Sequence, residues 1–554
     1  MITDSPLAPA IRGRPISALV PKQQFKSQVA TLYNDCRTHH KRCRLTRDST
    51  FMPDRLLDVG QVKRDNVVRL IIVPEGFQSP YSTLSYCWGK AQSVHLTKDT
   101  LPRFCNQGIP TCDLPATIID ACETCASIGI RYIWVDSLCV MQDEEEDWSR
   151  QASLMNHIYN SSDLTISAAA GDNCNHGLFN KRSYASLLSA EIACETIAGF
   201  KGIGSIRGPL VSYGFKEPAQ CRGWTMQECL LSRRLITFGT NQLSWECASS
   251  HWIESGAHFV ATAPVDDYLP RPALAVSRSF DDNKPRQLRK ENSELADIWQ
   301  HLVKSFCLRQ LTFERDKFPA ISGLAQWLAP NFCRSMEIKY IAGLWEPHLP
   351  ESLLWYHHLP FPVDLDDSRR PNAYRAPSWS WASLDCKYLR WTPATTRPCV
   401  AELLDSSVTL KSEDRYGEVL DGWLDIRAPI KQGWLVPSRT HCEHFDFWGA
   451  DWRAELTDRR PTLSNKSLGW AELDFISSNE PCDGSLSEAE QRSKVCDCLR
   501  ITEEAGILIE PADQPTSSGD SLQPRMRRLG IVIFKEELAT SWWGDASKTI
   551  IRLV

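Results

Sequence analysis

A glutamate inside a short apolar helix is the residue of this sequence whose surroundings most strongly suggest chemistry. The stretch RGWTMQECLLS, residues 222–232, predicts an amphipathic helix in which Trp224 and Glu228 stand one turn apart on the same face. A carboxylate on the apolar side of a helix is costly unless it is paired or used in a reaction. Two roles for Glu228 follow: a catalytic carboxylate, or a structural partner of a nearby arginine. The nearby arginines are Arg222, Arg233 and Arg234.

A second group of candidate residues follows two predicted strands upstream. YSTLSYCWG, residues 81–89, alternates like a strand and ends in a loop, and RYIWVDSLCVMQ, residues 131–142, begins as a short buried strand. In open parallel sheets, ligands bind beyond the carboxyl ends of the strands. The predicted lining residues of such a site are Tyr86, Trp88, Gly89, Asp136 and Trp224. The alternative roles are structural, with Asp136 as a capping or loop acceptor and Trp88 in the core.

The elements that must position these residues predict an α/β fold. A helix over residues 114–130 begins near Pro115, a second helix covers residues 143–162, and DLTISAAAG, residues 163–171, is a strand. This alternation indicates a parallel sheet with crossover helices on both faces, spanning about residues 65–250. We expect YIWVDS and LTISAAA to be parallel neighbours in it.

The phase of the helix over residues 143–162 is also predicted. Its acidic first turn suits a helix N-terminus. Trp148, Met155 and Tyr159 recur at helical spacing and should face the sheet. The residues expected to face away are Asp147, Arg150 and Asn156.

Composition limits the class of protein. The chain has 554 residues, of which 42% are hydrophobic, and a formal net charge of −6. This length suits about three or four domains, or one large domain with additions, and the mild acidity does not suit a nucleic-acid-binding protein. The N-terminus has no apolar run typical of a signal peptide, and no segment has the roughly 20 apolar residues of a membrane helix. We therefore expect a cytoplasmic protein with no nucleic-acid partner and no membrane span.

The 21 cysteines are expected to be mostly small buried hydrophobic residues. Cys36, His39 and Cys43 offer three metal ligands at close spacing, and zinc needs a fourth, for which His40 or a distant residue is the candidate. The sequence has no phosphate-binding loop, no dinucleotide glycine pattern and no H-E-x-x-H motif. From the sequence we assign no metal site and no tightly bound cofactor.

Three blocks of sequence resemble a known family. YSTLSYCWG, RYIWVDSLCVMQDEEEDWSRQASLMNHIY and RGWTMQECLLSRRLITFGTNQLSWEC look like the three signature blocks of the HET domain, the heterokaryon incompatibility domain of filamentous fungi. RDKFPAISGLA, YIAGLWE and YRAPSWSWASLD are similar to stretches that often follow it, so the resemblance covers roughly residues 30–390. It implies a role in nonself recognition and regulated cell death, with self-association or a protein partner.

The family resemblance also implies a distant kinship with TIR domains, which have a flavodoxin-like parallel sheet. Some TIR domains cleave NAD with a glutamate on the helix after the third strand, preceded four residues earlier by a tryptophan. Laid over this chain, YIWVDS is the second strand, LTISAAAG is the third, and Glu228 is the catalytic glutamate with Trp224 before it. NAD would then be a substrate. The alternative is a noncatalytic signalling or oligomerisation module that recruits a death effector.

These inferences divide the chain into four parts, the last of which has no recognisable motif. The parts are an N-terminal, partly disordered segment (1–60), a HET domain core (61–250), a HET-associated mixed region (251–390) and a β-rich C-terminal region of unknown role (391–554). Helical and β-rich additions are thus expected after the α/β core.

Overall fold

The structure, a computed structural model, forms two compact units, Met1–Phe280 and Asp281–Val554. The described residues are 21–45, 50–90, 94–182, 189–195, 199, 201–207, 217–256, 288–332, 338–357, 369–392, 399–437, 453–457, 468–474, 494–512, 523–534, 541–544 and 546–554. The N-terminal segment expected to be partly disordered begins with residues 1–20, which lie outside the described part of the chain.

The first unit is built on a nine-stranded mixed sheet. Its strands are β1 (Arg55–Asp58), β2 (Val67–Ile72), β3 (Tyr81–Ser85), β4 (Ile109–Pro110), β5 (Tyr132–Trp134), β6 (Leu164–Ser167), β9 (Arg234–Phe238), β10 (Leu243–Cys247) and β11 (His251–Ile253), with a separate hairpin of β7 (Ser189–Glu195) and β8 (Lys201–Arg207). The order across the sheet is β11-β10-β9-β6-β3-β5-β1-β2-β4.

Only the centre of this sheet is parallel, which corrects the expectation of a parallel core throughout. β3 pairs in parallel with β5 and β6, and β6 pairs in parallel with β9. The strands on both sides of this centre are added in antiparallel fashion. β5 and β6 run in the same direction in the same sheet, as predicted. The prediction that they are adjacent is wrong, because the fully buried β3 lies between them.

Seven α-helices accompany this sheet in the described residues. They are α1 (Lys22–His39), α2 (Lys41–Leu45), α3 (Leu101–Asn106), α4 (Ala116–Ser127), α5 (Asp136–Cys139), α6 (Glu145–Ser161) and α7 (Thr225–Leu231), with 3₁₀ turns at Thr111–Asp113 and Pro218–Cys221. Since β5 and β6 flank β3 on opposite sides, right-handed crossovers place α4 and α6 on opposite faces. α1 packs on α4, and α7 packs on α6.

The phase of α6 differs from the predicted one at three positions. Met155 and Tyr159 are buried as expected, but Trp148 is only half-buried, and Asp147 and Asn156, both expected to face away, are buried. Asp147 can be buried because Arg55 on β1 binds its carboxylate at 2.5 Å and the backbone N–H of Met141 donates to it at 2.8 Å. The ion pair with Arg55 thus allows Asp147 to occupy the buried face of α6, where hydrophobic spacing had predicted Trp148.

The second unit combines two helices with β-strands. Its helices are α8 (Leu288–Cys307) and α9 (Pro319–Phe332), with 3₁₀ turns at Glu314–Lys317, Glu346–His348, Glu351–Leu353 and Trp381–Ser383. Two small sheets pair β12 (Tyr340–Ile341) with β13 (Leu344–Trp345), and β14 (Trp355–His357) with β15 (Leu389–Trp391). Four tryptophans, Trp345, Trp355, Trp379 and Trp381, are fully buried here.

An eight-stranded sheet makes up the rest of this unit. Its strands are β16 (Glu402–Leu410), β17 (Val419–Pro437), β18 (Arg453–Thr457), β19 (Gly469–Leu473), β20 (Lys494–Arg500), β21 (Ala505–Pro511), β22 (Arg525–Phe534) and β23 (Lys548–Leu553). The fully buried Arg528 forms an ion pair with Asp474 at 2.8 Å and stacks 3.6 Å from the ring centre of Trp355. Within the described part of the chain, every helix is too short or too polar to span a bilayer.

Candidate functional site

α7 holds Glu228 one turn after Trp224, as the sequence predicted. The backbone N–H of Glu228 donates to the carbonyl of Trp224 at 3.4 Å, which spans that turn. Two hydroxyls fix the ends of this short helix. Thr225 donates to the carbonyl of Ala219 at 2.5 Å, and Ser232 donates to the carbonyl of Glu228 at 2.5 Å. Glu228 itself is only 3% exposed.

The helix places Glu228 at the crevice between two parallel strands. The next residue, Cys229, has its Sγ atom 3.9 Å from the hydroxyl of Ser85 and 3.9 Å from that of Ser167. Ser85 ends β3 and Ser167 ends β6. The chain leaves these two strands toward opposite faces, so the crevice between them is the topological switch point of the sheet.

Asp136 stands at the carboxyl end of β5, beside this crevice. The indole N–H of Trp88 donates to its carboxylate at 2.8 Å, and the backbone N–H of Ser137 donates to it at 2.7 Å. The hydroxyl of Tyr86 donates to the side chain of Ser137 at 2.8 Å. The loop after β3 and the end of β5 are therefore held together by hydrogen bonds around one carboxylate.

Two acids and one arginine determine the electrostatics of the site. Burial, followed by the charge of Asp136, raises the pKa of Glu228 to about 7, and Arg222 acts in the opposite direction. Burial also raises the pKa of Asp136, against the effect of Arg222. The guanidinium of Arg222 donates a hydrogen bond to the carbonyl of Tyr86. A glutamate that is partly protonated near neutral pH, beside a second acid, is typical of functional sites.

The remaining predicted residues have identifiable structural roles. Trp224 is half-buried and packs edge-to-face on Trp148, with ring centres 6.0 Å apart. Gly89 has φ +66°, and a Cβ atom there would lie 2.4 Å from Cβ of Asn173. Glycine at this position is required by backbone geometry and by the close approach of the next loop.

Sequence reasoning missed two residues around Glu228. The side chains of Ser85 and Tyr159 face its carboxyl group and act to lower its pKa. Ser85 was identifiable as the last residue of a strand in the sheet. Tyr159 belonged to the stripe of α6 predicted to face the sheet, but its hydroxyl, which donates to the carbonyl of Leu84 at 3.1 Å, gave no separate signal.

A surface cavity lies elsewhere in the first unit. It has a volume of about 470 Å³ and is lined by residues 50, 52–54 and 73–78. None of the residues around Glu228 or Asp136 lines this cavity. Glu228 is 3% exposed, so a ligand would reach its carboxyl group only if the surrounding side chains moved.

Comparison with known proteins gives a match for the part of the chain that builds this site. Residues 81–228 match the family model described as heterokaryon incompatibility protein (HET). No curated protein and no solved structure matches the chain. The matched segment begins with the first residue of β3 and ends at Glu228, so it contains Tyr86, Asp136 and Trp224. The first compact unit of this chain therefore carries a HET domain.

Proposed function

We propose that this protein acts in heterokaryon incompatibility as an effector enzyme that cleaves NAD, and that nonself recognition triggers cell death through this activity. The HET domain supports the biological role. The observation that carries the enzymatic part is the position of Glu228. Its carboxyl group lies at the switch point between β3 and β6, with Asp136 close enough to raise its pKa.

The order of the parallel strands supports a TIR-like arrangement. In chain order the parallel strands are β3, β5, β6 and β9, and in the sheet they are arranged second, first, third and fourth. Flavodoxin-like sheets share this order and bind their ligands at the switch point. Glu228 lies on the helix between the third and fourth of these strands, which is the place of the catalytic glutamate in the TIR comparison. This is a fold-level analogy, so the chemistry of the site must be tested directly.

The proposed reaction breaks the bond between ribose C1′ and the nicotinamide nitrogen. Nicotinamide leaves with the bonding electron pair as a neutral molecule, so no general acid is needed. Water then adds to C1′ and releases a proton, which gives ADP-ribose. The transition state resembles an oxocarbenium ion, and an ionised Glu228 would stabilise its positive charge. The cationic nicotinamide ring of the substrate, placed beside the carboxyl group, would also favour the ionised form.

A noncatalytic signalling module is the second candidate, and the burial of Glu228 favours it. A carboxyl group that is 3% exposed has little access to a substrate in this conformation. In such a module the HET domain would self-associate or bind a protein, and another effector would carry out cell death.

Incubation of the purified full-length protein with NAD separates the two candidates. The enzymatic proposal predicts that nicotinamide and ADP-ribose appear in equal amounts, at a rate proportional to protein concentration. A heat-denatured sample serves as the control. If folded protein releases no nicotinamide above this control at any concentration, the NAD-cleaving function is wrong and the module remains.

A further inference from the structure

Four side chains that commonly bind metals converge at one end of the first unit. The Sγ atoms of Cys36, Cys43 and Cys247 and a ring nitrogen of His40 all lie within 4.8 Å of one another. The first three of these residues in the chain belong to α1, to its C-terminal cap and to α2, whereas Cys247 ends β10, 207 residues after His40. The group is therefore assembled by the fold.

We propose that Cys36, His40, Cys43 and Cys247 bind one structural zinc ion in a Cys₃His site. Nδ1 of His40 lies 3.4 Å from Sγ of Cys247 and 3.9 Å from Sγ of Cys43. A tetrahedral zinc ion, with bonds of about 2.3 Å to sulfur and about 2.0 Å to nitrogen, holds such ligand atoms roughly 3.6 Å apart. The spacing of the side chains thus matches zinc coordination. Tetrahedral sites rich in thiolate favour zinc or iron–sulfur centres among biological metals.

Of the two histidines that the sequence offered, the group contains His40, the candidate fourth ligand, and not His39. Nδ1 of His39 lies 2.9 Å from a carboxylate oxygen of Asp35, and the His39 side chain is exposed. His40 turns its Nδ1 toward the cysteines, and its other ring nitrogen lies 3.8 Å from the same carboxylate group. In metal sites the second nitrogen of a ligating histidine commonly donates to a carboxylate, and Asp35 lies on that side of His40.

An arginine that also lies 3.7 Å from Asp163 opposes the negative charge that the site would carry. Three thiolates and one Zn²⁺ ion sum to a single negative charge. Nε of Arg234 donates to Sγ of Cys36 at 3.2 Å, and Nη2 of the same residue donates to the carbonyl of Cys43 at 3.1 Å. Arg233 donates to that carbonyl at 3.0 Å. These contacts hold two of the ligands in place, as outer-shell groups of metal sites do.

The burial and the ligand number indicate a structural site. Cys36 is fully buried and Cys43 is 3% exposed. Four protein ligands complete a tetrahedron and leave no open position for water or substrate. The ion would join α1 and α2 to β10. Cys247 lies opposite Arg234 in the sheet register, and Arg234 is the first residue of β9. The cluster is therefore at the amino ends of the parallel strands, away from Glu228. Loss of the ion should therefore affect folding rather than the NAD site.

A disulfide between two of the three cysteines is the competing interpretation. It would use two sulfurs, and it explains neither the inward orientation of His40 nor the arginine at Cys36. The two interpretations differ in their metal content and in their number of free thiols. Metal binding by thiols and histidine also depends on pH, because the ligands must lose their protons.

The test measures zinc, iron and free thiols in the full-length protein purified under reducing conditions, with His40→Ala, His40→Cys and His39→Ala alongside. We expect about one zinc ion per chain in the native protein. His40→Ala should lose most of the zinc, and His40→Cys should retain it because it restores a fourth ligand. His39→Ala, the matched control one residue away, should bind zinc like the native protein. Cobalt added to the zinc-depleted native protein should give the visible absorption of a tetrahedral thiolate site.

Three results would overturn the proposal. The first is native protein without zinc when zinc is supplied during expression. The second is a disulfide among Cys36, Cys43 and Cys247 in native protein that was purified without reductant from cells supplied with zinc. The third is zinc retained in folded His40→Ala but lost in His39→Ala. If His40→Ala fails to fold, the zinc content and cobalt spectrum of the native protein still decide the matter.

Discussion

Burial, and after it the charge of Asp136 at the start of α5, raises the pKa of Glu228 on α7. The two acids reach the same crevice from different parts of the chain, and burial is the largest influence on both. A buried acid with a raised pKa costs folding free energy when it is ionised. The proposed catalytic role would account for this cost, since stability and activity commonly oppose each other at functional sites.

The first prediction concerns the stability of Glu228→Gln as a function of pH. The pKa of Glu228 is about 7 in the folded protein, above its ordinary 4.5. The folded state therefore binds the proton more tightly, and this group makes the free energy of unfolding fall as the pH rises from 4.5 through about 7. Glutamine does not ionise, so the free energy of unfolding of the variant lacks this decrease with pH. We expect the variant to match the native protein at pH 5 and to be more stable at pH 8, as measured by urea unfolding.

Glu254→Gln provides the matched control for this experiment. Glu254 forms two hydrogen bonds with Arg182, at 2.9 and 2.6 Å, and both side chains are largely buried. Removing its charge breaks an ion pair, so this variant should lose stability at pH 8. A comparable loss for Glu228→Gln at pH 8 would show instead that Glu228 is a structural ion-pair partner.

The second prediction tests the hydrogen bond between Trp88 and Asp136. Trp88→Phe keeps most of the ring but removes the indole N–H that donates to the carboxylate at 2.8 Å. Hydrogen bonds to charged groups contribute about 1.5–3 kcal/mol. A double-mutant cycle with Asp136→Ala, which removes the acceptor, should give a coupling free energy of about 1 kcal/mol or more when measured by chemical unfolding. Additive effects of the two substitutions would mean that the bond contributes nothing to stability.

The third prediction compares two glycines with positive φ. Gly89 and Gly76 have φ values of +66° and +76°. A Cβ atom added at Gly89 would clash with Asn173, whereas a Cβ atom added at Gly76 would meet no other residue. Alanine should cost about 1–2 kcal/mol at Gly76, from backbone strain alone. It should cost clearly more at Gly89, because the loop of Asn173 must also shift. Equal changes in the free energy of unfolding would refute the close approach of these loops.

The fourth prediction uses two neighbouring acids at the start of α6. Asp147 is buried and paired with Arg55 at 2.5 Å, whereas Glu146 is exposed. Asp147→Ala should cost about 3–5 kcal/mol, the usual result of leaving a buried charge without its partner. Glu146→Ala should change stability by less than about 0.5 kcal/mol. Thermal unfolding of both variants measures the difference, and a small effect of Asp147→Ala would contradict the pairing.

The sequence predicted the helix of Glu228 and the strands around it because hydrophobic spacing and cap residues are local signals. It also pointed to Asp136 and Trp88, since both follow a recognisable strand. The place of β3 between β5 and β6 was not predictable from spacing, because pairing order depends on contacts between distant segments.

Long-range pairing accounts for the other misses. Asp147 was expected to face away from the sheet because its partner, Arg55, is 92 residues earlier in the chain. Cys247, the distant member of the proposed zinc site, could likewise not be identified from the sequence, because β10 joins Cys36 and Cys43 only in the folded unit. The local sequence pattern thus predicted helices, strands and single candidate residues. The residues that these contact could be identified only from the folded structure.

The central claim is tested most directly by measuring nicotinamide release by the Glu228→Gln variant and by the native protein. The melting temperature is measured on the same preparations. Glutamine keeps the size and hydrogen-bonding capacity of the side chain but cannot carry the charge. If the ionised carboxyl group stabilises the transition state, the variant should fold normally and cleave NAD about 10²–10³-fold more slowly. A folded Glu228→Gln protein that releases nicotinamide at the native rate would contradict the catalytic role of Glu228.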